Sequence, residues 1–272
     1  MACELFVRNH KCFLSINQWE QIDPNLKVGF STRQGGLSEG KYSSLNIGLH
    51  VADKRKVVLK NREILAHNIG IPLNYWVSGE QVHGSQIKVV TSNERGCGST
   101  DISSSIPQVD GLITKDENIL CTAFFADCVP LYFFDPVTKY IGIAHAGWRG
   151  TTLEIAGKMV HKFAELGVSI ENLLIAIGPA IGREKYEVDR TVIEHIPTKY
   201  HSRTIYEQQN CRYLLDLQQL NSEILLQSGI LRHNISITNY CTYSAEDLFF
   251  SHRRDQGKTG RMLGFIGYST NV

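Results

Sequence analysis

Three short segments each place a reactive side chain beside glycine, proline or aspartate at the edge of an apolar run. They are Gln81-Val82-His83-Gly84, Ala126-Asp127-Cys128-Val129-Pro130 and Ala144-His145-Ala146-Gly147-Trp148-Arg149-Gly150. Together His83, Cys128 and His145 offer two imidazoles and a thiolate, the ligand count of a catalytic zinc that keeps its fourth position for water. Their separations, 45 and 17 residues, are too long for a local metal motif. Spacing therefore leaves two readings open: a metal centre assembled by the fold, or hydrogen-bonded core histidines beside an inert buried thiol.

The third segment offers a second kind of chemistry. An apolar strand ending at His145 runs through a glycine-bearing turn towards a helix expected to start at Thr151, with Glu154 completing a T-x-x-E capping box. Free backbone N–H groups there, beside Arg149, would suit an anion such as phosphate. The plain alternative is a strand-to-helix connection with a surface arginine. Ser251-His252-Arg253-Arg254-Asp255, with Lys258 and Arg261, supplies guanidinium forks that either hold an anion or pair internally with Asp255 and Glu246. Ser31 to Ser38, Leu45 to His50 and Gly178 to Gly182 read as loops and turns.

These side chains need a scaffold, and the chain can build one. At 272 residues it is long enough for a sizeable core, since about 300 residues bury roughly 75% of their unfolded surface. With 28 Lys+Arg against 27 Asp+Glu, the formal charge of +1 gives no field for gathering nucleic acid or anionic membrane, so neither partner is expected. The most apolar stretch, Ile119 to Val137, is broken by Asp127, Pro130 and Asp135 and reads as buried strands, not a membrane helix. No basic and apolar leader opens the chain, so a cytoplasmic location is expected, with a monomer as the default. Seven cysteines without a CxxC pair fit free thiols in a reducing compartment.

End signals place three helices: after Asp53 up to Gly70, after Thr151 up to Gly167, and after Asp216 up to Gly229. Strands are expected at Gln86 to Thr91, Val109 to Thr114, Leu120 to Phe125, Val129 to Phe134, Tyr140 to His145, Leu173 to Ile177, Ile235 to Thr242 and Met262 to Tyr268. Thr91 to Ser105, rich in Ser, Gly and Asn, reads as a surface loop. Strands outnumber helices without regular alternation, which predicts an α+β fold of mixed β-sheets packed with flanking helices, in one domain over residues 1–272. Neither GxGxxG nor GxxxxGK[ST] is present, so dinucleotide and Walker-type nucleotide sites lose support.

Taken in order, ST-R-GG-S, SLN-G-HV-D, QVHG, DGLIT, ADC-P, AHAGWRG, IGPAI, YEV and the closing CTYS, FFS-RRD and TGR resemble one family from about Val28 to Tyr268. It is the laccase-domain family, also called multicopper polyphenol oxidases, which includes zinc-dependent purine nucleoside enzymes; the bacillus-type members are the most similar. The resemblance implies a YfiH-like fold, with His83, Cys128 and His145 as zinc-binding and catalytic residues. It implies substrate contacts at Asn46, Arg62, Gln81 and Arg149. Phe125 stands where many members carry threonine, and His252 where tyrosine is common, which puts substrate preference in doubt. The activities implied are phosphorolysis of adenosine, inosine, guanosine and methylthioadenosine, and deamination of adenosine to inosine, so purine nucleosides and phosphate are the expected partners.

Zinc lowers the pKa of bound water to about 7 in favourable sites, which suits deamination. Phosphorolysis needs phosphate positioned at C1′ of the ribose, by Arg149 and Arg62 on this reading, and an acid for the departing purine. Asp127 is the candidate acid, or else a turn-forming or histidine-orienting carboxylate. Two further readings are a Cys128–His145 hydrolase acting on an amide such as a peptidoglycan precursor, and a non-enzymatic metal-binding scaffold. A true multicopper oxidase needs about ten histidines, several as His-x-His pairs that bridge copper. This chain has 10 His but no such pair, so laccase chemistry fits only as weak oxidation by copper taken up in vitro.

Overall fold

Along Ile119–Phe125 the side chains alternate between two apolar environments, and that alternation organises the molecule. Ile119, Cys121, Ala123 and Phe125 enter one core, while Leu120 and Phe124 enter another on the opposite face. Val129–Phe134 behaves the same way: Tyr132 and Phe134 join the first core, and Val129, Leu131 and Phe133 a third. Strands covered on both faces have no polar side, which is why Ile119 to Val137 is nearly continuous in its apolar character. Each fully buried Phe or Leu contributes roughly 1.5–3 kcal/mol of transfer free energy.

The computed structural model describes residues 4–269; Cys3, expected to be an ordinary thiol, lies outside the described residues. One sheet has five strands in the order Phe13–Ser15, Leu26–Ser31, Met262–Tyr268, Ile119–Phe125 and Trp76–Ser78, with only the last pair parallel. A second has six: Ile235–Ile237, Leu174–Ile177, Val129–Phe134, Ile141–Ala146, Gly111–Thr114 and Ile87–Val89, parallel only at its two outer pairs. The first core lies between these sheets. Helices Ile155–Glu165 and Leu217–Gln227 cover the far face of the six-stranded sheet, and helix Arg55–Ile69 covers that of the five-stranded one. A small antiparallel sheet of Glu187–Val188, Tyr213–Leu215 and Ile205–Glu207 lies beyond the helices. The architecture is mixed α+β, as the irregular order of strands and helices predicts.

Two helices begin and end where their signals place them. Gly70 adopts φ +81° and its N–H closes Arg55–Ile69 on Ala66 O, while Asp216 accepts from Gln219 N at 2.8 Å to open Leu217–Gln227. The capping box at Thr151 and Glu154 does not form. The helix starts earlier, as Trp148–Thr152 after Gly147, and Glu154 then turns left-handed at φ +57° before Ile155–Glu165. Thr151 is buried and its hydroxyl accepts from Asn221 Nδ2 at 3.0 Å, so a tertiary partner has taken the oxygen a cap would need.

The segment Thr91 to Ser105 is largely exposed loop, as expected, but dips inward at Gly98 and Ser99. A capping box does form here, at Thr91 and Glu94, and the chain then turns inward so that Gly98 and Ser99 present carbonyls to buried Arg62. Ile235 to Thr242 is a strand only as far as Ile237; its second half leaves the sheet and carries Cys241 and Thr242 to the site. Among the described residues no helix is long and apolar enough to cross a membrane.

Candidate metal centre and active site

Asp110, which precedes the strand Gly111–Thr114, brings two of the three chemical segments together. Its carboxylate accepts from the backbone N–H groups of Val82 and His83, both at 3.2 Å, and of Gly84 at 2.8 Å. It also accepts from His145 Nδ1 at 2.9 Å. One buried carboxylate thus fixes the loop bearing the first histidine and the ring of the second. Burial raises the Asp110 carboxyl, but the His145 bond, reinforced by the backbone donors, outweighs it and holds the group below the usual carboxylate range. Asp110 was not among the candidates read from the sequence, although its DGLIT segment was; a polar residue just before an all-apolar strand was the available signal.

With Nδ1 bonded to Asp110, His145 presents Nε2 to its neighbours. Among the described residues, His83, Cys128 and His145 form the one cluster able to hold a metal, with ligand atoms all within 4.8 Å of one another. Cys128 Sγ lies 3.9 Å from His83 Nε2, and the two imidazole rings meet edge to face at 4.7 Å. His145 is buried, Cys128 partly so and His83 exposed, so the cluster opens to solvent on the His83 side. Burial works against ionisation of both Cys128 and His145, yet each favours the charge on the other, lowering the thiol and raising the imidazole. Two imidazoles and one thiolate suit zinc, and three protein ligands leave a position open.

The backbone beside the cluster is held in uncommon conformations. His83 has φ +59° and Asp127 φ +86°, left-handed values that non-glycine residues avoid unless their surroundings hold them. Asp110 holds the first. The second is held by its own carboxylate, which accepts from Thr242 Oγ1 at 2.7 Å, Ser251 Oγ at 3.0 Å and Arg253 N at 2.7 Å. A Cβ at Gly147 would stand 2.8 Å from His83 Cδ2 and 3.1 Å from Cys128 Sγ. Gly147→Ala is therefore expected to push His83 out of place and reduce bound metal, measured as zinc per chain after dialysis, while the far-ultraviolet circular dichroism stays unchanged.

The other residues singled out by the sequence are committed to the frame in different degrees. Asn46 is buried and accepts from Gly48 N at 3.0 Å and Arg261 N at 2.9 Å while donating to Asp53 at 2.9 Å. Gln81 pairs its amide with both peptide groups of Phe124, donating at 2.9 Å and accepting at 2.7 Å, which ties the His83 loop to Ile119–Phe125. Arg62 donates to the carbonyls of Ile47, Gly98 and Ser99, and its guanidinium lies over the Phe124 ring at 4.8 Å. Arg149 is exposed and lies over Trp148 at 4.9 Å; the helix it enters, Trp148–Thr152, is only five residues long. Arg254 donates to three backbone carbonyls and pairs with Asp255 at 2.9 Å, so part of the basic segment pairs internally.

Residues 27–269 match a family model described as multi-copper polyphenol oxidoreductase laccase. The chain is 41% identical over 260 residues to purine nucleoside phosphorylase YlmD of Bacillus subtilis (strain 168), covering 93% of this chain and 94% of that protein. It is 45% identical over 244 residues to the protein of the same name from Geobacillus stearothermophilus, covering 88% and 89%. The crystal structure of the Geobacillus YlmD superposes with a TM-score of 0.94 at 40% identity, covering 98% of this chain and all of that one. That of Bacillus licheniformis hypothetical protein YfiH gives 0.93 at 39% identity, covering 97% and 98%. The matched span takes in all three cluster residues and the strands that carry them, and the chain belongs to the multi-copper polyphenol oxidoreductase laccase family.

Proposed function

We propose that this chain is a zinc-dependent purine nucleoside phosphorylase. It cleaves adenosine, inosine, guanosine and methylthioadenosine with phosphate, and it also deaminates adenosine. The observation that carries the reading is the convergence of His83, Cys128 and His145 around Asp110, in a chain so similar to proteins named purine nucleoside phosphorylase. Zinc, when bound, supplies Lewis-acid polarisation and an acidified water. Cys128, as thiolate, and both histidines, as neutral imidazoles, hold it, and their protons leave when it binds. Asp110 keeps His145 in the tautomer that points Nε2 at the centre. Asn46, Gln81 and Asp127, whose polar atoms are engaged within the protein, act as positioning residues; Arg149 is exposed, four residues beyond His145.

The same three residues support a second reading. A Cys128 thiolate beside a His145 imidazolium oriented by Asp110 is also the arrangement of a cysteine hydrolase. The additional imidazole of His83, 3.9 Å from the sulfur, favours the metal. Incubating the protein with each nucleoside, with and without phosphate, and resolving the products by chromatography tests the proposal. Base appearing only with phosphate establishes phosphorolysis, and inosine formed from adenosine without phosphate establishes deamination. Loss of both on chelation, with recovery on adding zinc, assigns them to the metal; activity indifferent to chelator supports the hydrolase. Intact nucleosides under all conditions would defeat the proposal.

A further inference from the structure

Two arginines near the cleft have no carboxylate of the described residues in direct ion-pair contact. Arg62 is almost fully buried, and burial lowers its guanidinium to about 9. Arg261 is half-buried, and burial lowers it too. Among the described residues neither has a carboxylate within ion-pair distance. A buried unpaired charge costs several kcal/mol even after relaxation, and carbonyl contacts offset only part of that. Arg62 and Arg261 flank the same Phe124–His50 pair, Arg62 over the Phe124 ring and Arg261 against Gly48 and His50, an arrangement that suits an anion that is not part of the chain.

The geometry says where the anion would sit. Arg261 follows the loop Thr259-Gly260, and its Nη1 donates to the carbonyls of both, at 3.0 and 2.9 Å, which fixes the fork and leaves Nη2 and Nε for a ligand. Its stem lies against Gly48, where a Cβ would meet Arg261 Cγ at 2.7 Å and His50 Cε1 at 3.4 Å, so the loop's glycine allows arginine and histidine to share one wall. Burial lowers its guanidinium, and Cys128, Asp127 and the Tyr42 phenol act on it in the opposite sense, so it lies within electrostatic reach of the metal cluster. His50 stands edge-on to Phe124 at 5.9 Å, and Arg62 lies over that same ring. His50 is exposed as a residue, yet desolvation of its ring, followed by the charges of Arg261, Arg62, His145 and His83, lowers it to about 4, so it meets a ligand as a neutral imidazole with one N–H to donate. A divalent metal held by one thiolate and two neutral imidazoles would leave net positive charge at the centre.

We infer that Arg261, with His50 beside it and Arg62 behind Phe124, forms the subsite that holds inorganic phosphate against the His83–Cys128–His145 centre. This rests on the phosphorylase reading and moves its phosphate contact from Arg149 to Arg261. The guanidinium fork takes two phosphate oxygens, His50 donates an N–H to a third, and Arg62 adds charge without contact. The nucleoside then approaches from the exposed His83 side.

Calorimetric titration of inorganic phosphate into the zinc-loaded protein, without nucleoside, tests the subsite separately from turnover. Wild type binds phosphate; Arg261→Gln weakens it by tenfold or more, and Arg261→Lys, which keeps the charge but loses the fork, falls between. Inosine affinity without phosphate stays within about threefold of wild type in both variants. Zinc content and circular dichroism report folding, and should Arg261→Gln misfold, Arg261→Lys and His50→Ala carry the test. Phosphate affinity unchanged in the folded variants, or no phosphate binding by wild type, overturns the subsite. Loss of inosine affinity with phosphate binding intact overturns it too, by making Arg261 a nucleoside contact. Phosphate binding through Arg261 in a protein that leaves nucleosides intact would keep the subsite and defeat the phosphorylase reading instead.

Discussion

Cys128→Ala is expected to lower zinc from about one ion per chain to near zero and to cut both phosphate-dependent cleavage and deamination by on the order of a thousandfold or more. The sulfur is the only anionic ligand in the cluster, and the two imidazoles left behind cannot close even a three-ligand site. The fold should survive. Cys128 is only partly buried at the margin of the inter-sheet core, so removing one sulfur leaves a shallow, solvent-reachable gap instead of a sealed cavity. Cys128→Ser should fare little better, because a hydroxyl stays protonated where a thiol ionises. Metal analysis and product chromatography on the same preparation decide the matter: full zinc with full activity in Cys128→Ala would remove the centre from the mechanism. Loss of activity in a protein indifferent to chelator would assign Cys128 to nucleophilic attack.

Asp110→Ala is the second large effect, and it should be felt in both affinity and stability. The substitution releases His145 Nδ1 and strands the N–H groups of Val82, His83 and Gly84. Loss of a carboxylate that orients a metal-bound histidine typically costs 10–100-fold in metal affinity or activity, and here the same carboxylate also positions the other histidine, so about a hundredfold is expected. Buried donors left unsatisfied, beside an imidazole that loses its counter-charge, should destabilise the fold by about 3–5 kcal/mol. Competition with a chromogenic chelator gives the zinc affinity, and denaturant melts give the stability. Asp110→Asn should lie between the two, since its amide oxygen can still accept while its NH2 faces donors. A zinc affinity within twofold of wild type in Asp110→Ala would show that the loop and the ring hold their places without it.

The two effects differ in what they report. Cys128 acts through the bond it would make to the metal, whereas Asp110 acts through where it holds the others. That separation explains why the centre can combine a rigid wall, at buried His145, with an exposed face at His83. Strain at His83 and Asp127 is concentrated where the ligands must converge and is restrained by hydrogen bonds from elements far away in sequence.

The helices after Asp53 and Asp216 were legible in the sequence because their start and stop signals are local: an aspartate ahead of the first turn and a glycine beyond the last. The central strands were legible because burial on both faces leaves long apolar runs. The capping box at Thr151 misled because a hydroxyl that could cap a helix is instead bonded to Asn221, 70 residues away. The three-residue strands Phe13–Ser15 and Trp76–Ser78 carry too few residues to declare a period, and their pairing with Leu26–Ser31 and Ile119–Phe125 defines them.

The site divides along the same line. The sequence by itself determined the donor types, since only His83, Cys128 and His145 stand within segments whose glycine, proline and aspartate neighbours mark sharp turns at strand ends. It could not determine that they meet, because sequence separations of 45 and 17 residues carry no distance information. Tertiary structure decided that, by setting Ile141–Ala146 between Val129–Phe134 and Gly111–Thr114, so that Cys128, His145 and Asp110 come to the same end of adjacent strands. It also decided that Asn46, Gln81 and Asp127, polar residues that sequence assigns to substrate, spend their hydrogen bonds on the frame. Arg261, which sequence leaves in a generic basic run, is instead fixed against the Thr259 and Gly260 carbonyls and packed on Gly48, with no carboxylate of the described residues at ion-pair distance. A residue's chemistry is local, but whether its donors and acceptors are free depends on which distant groups the fold brings within 3 Å of them.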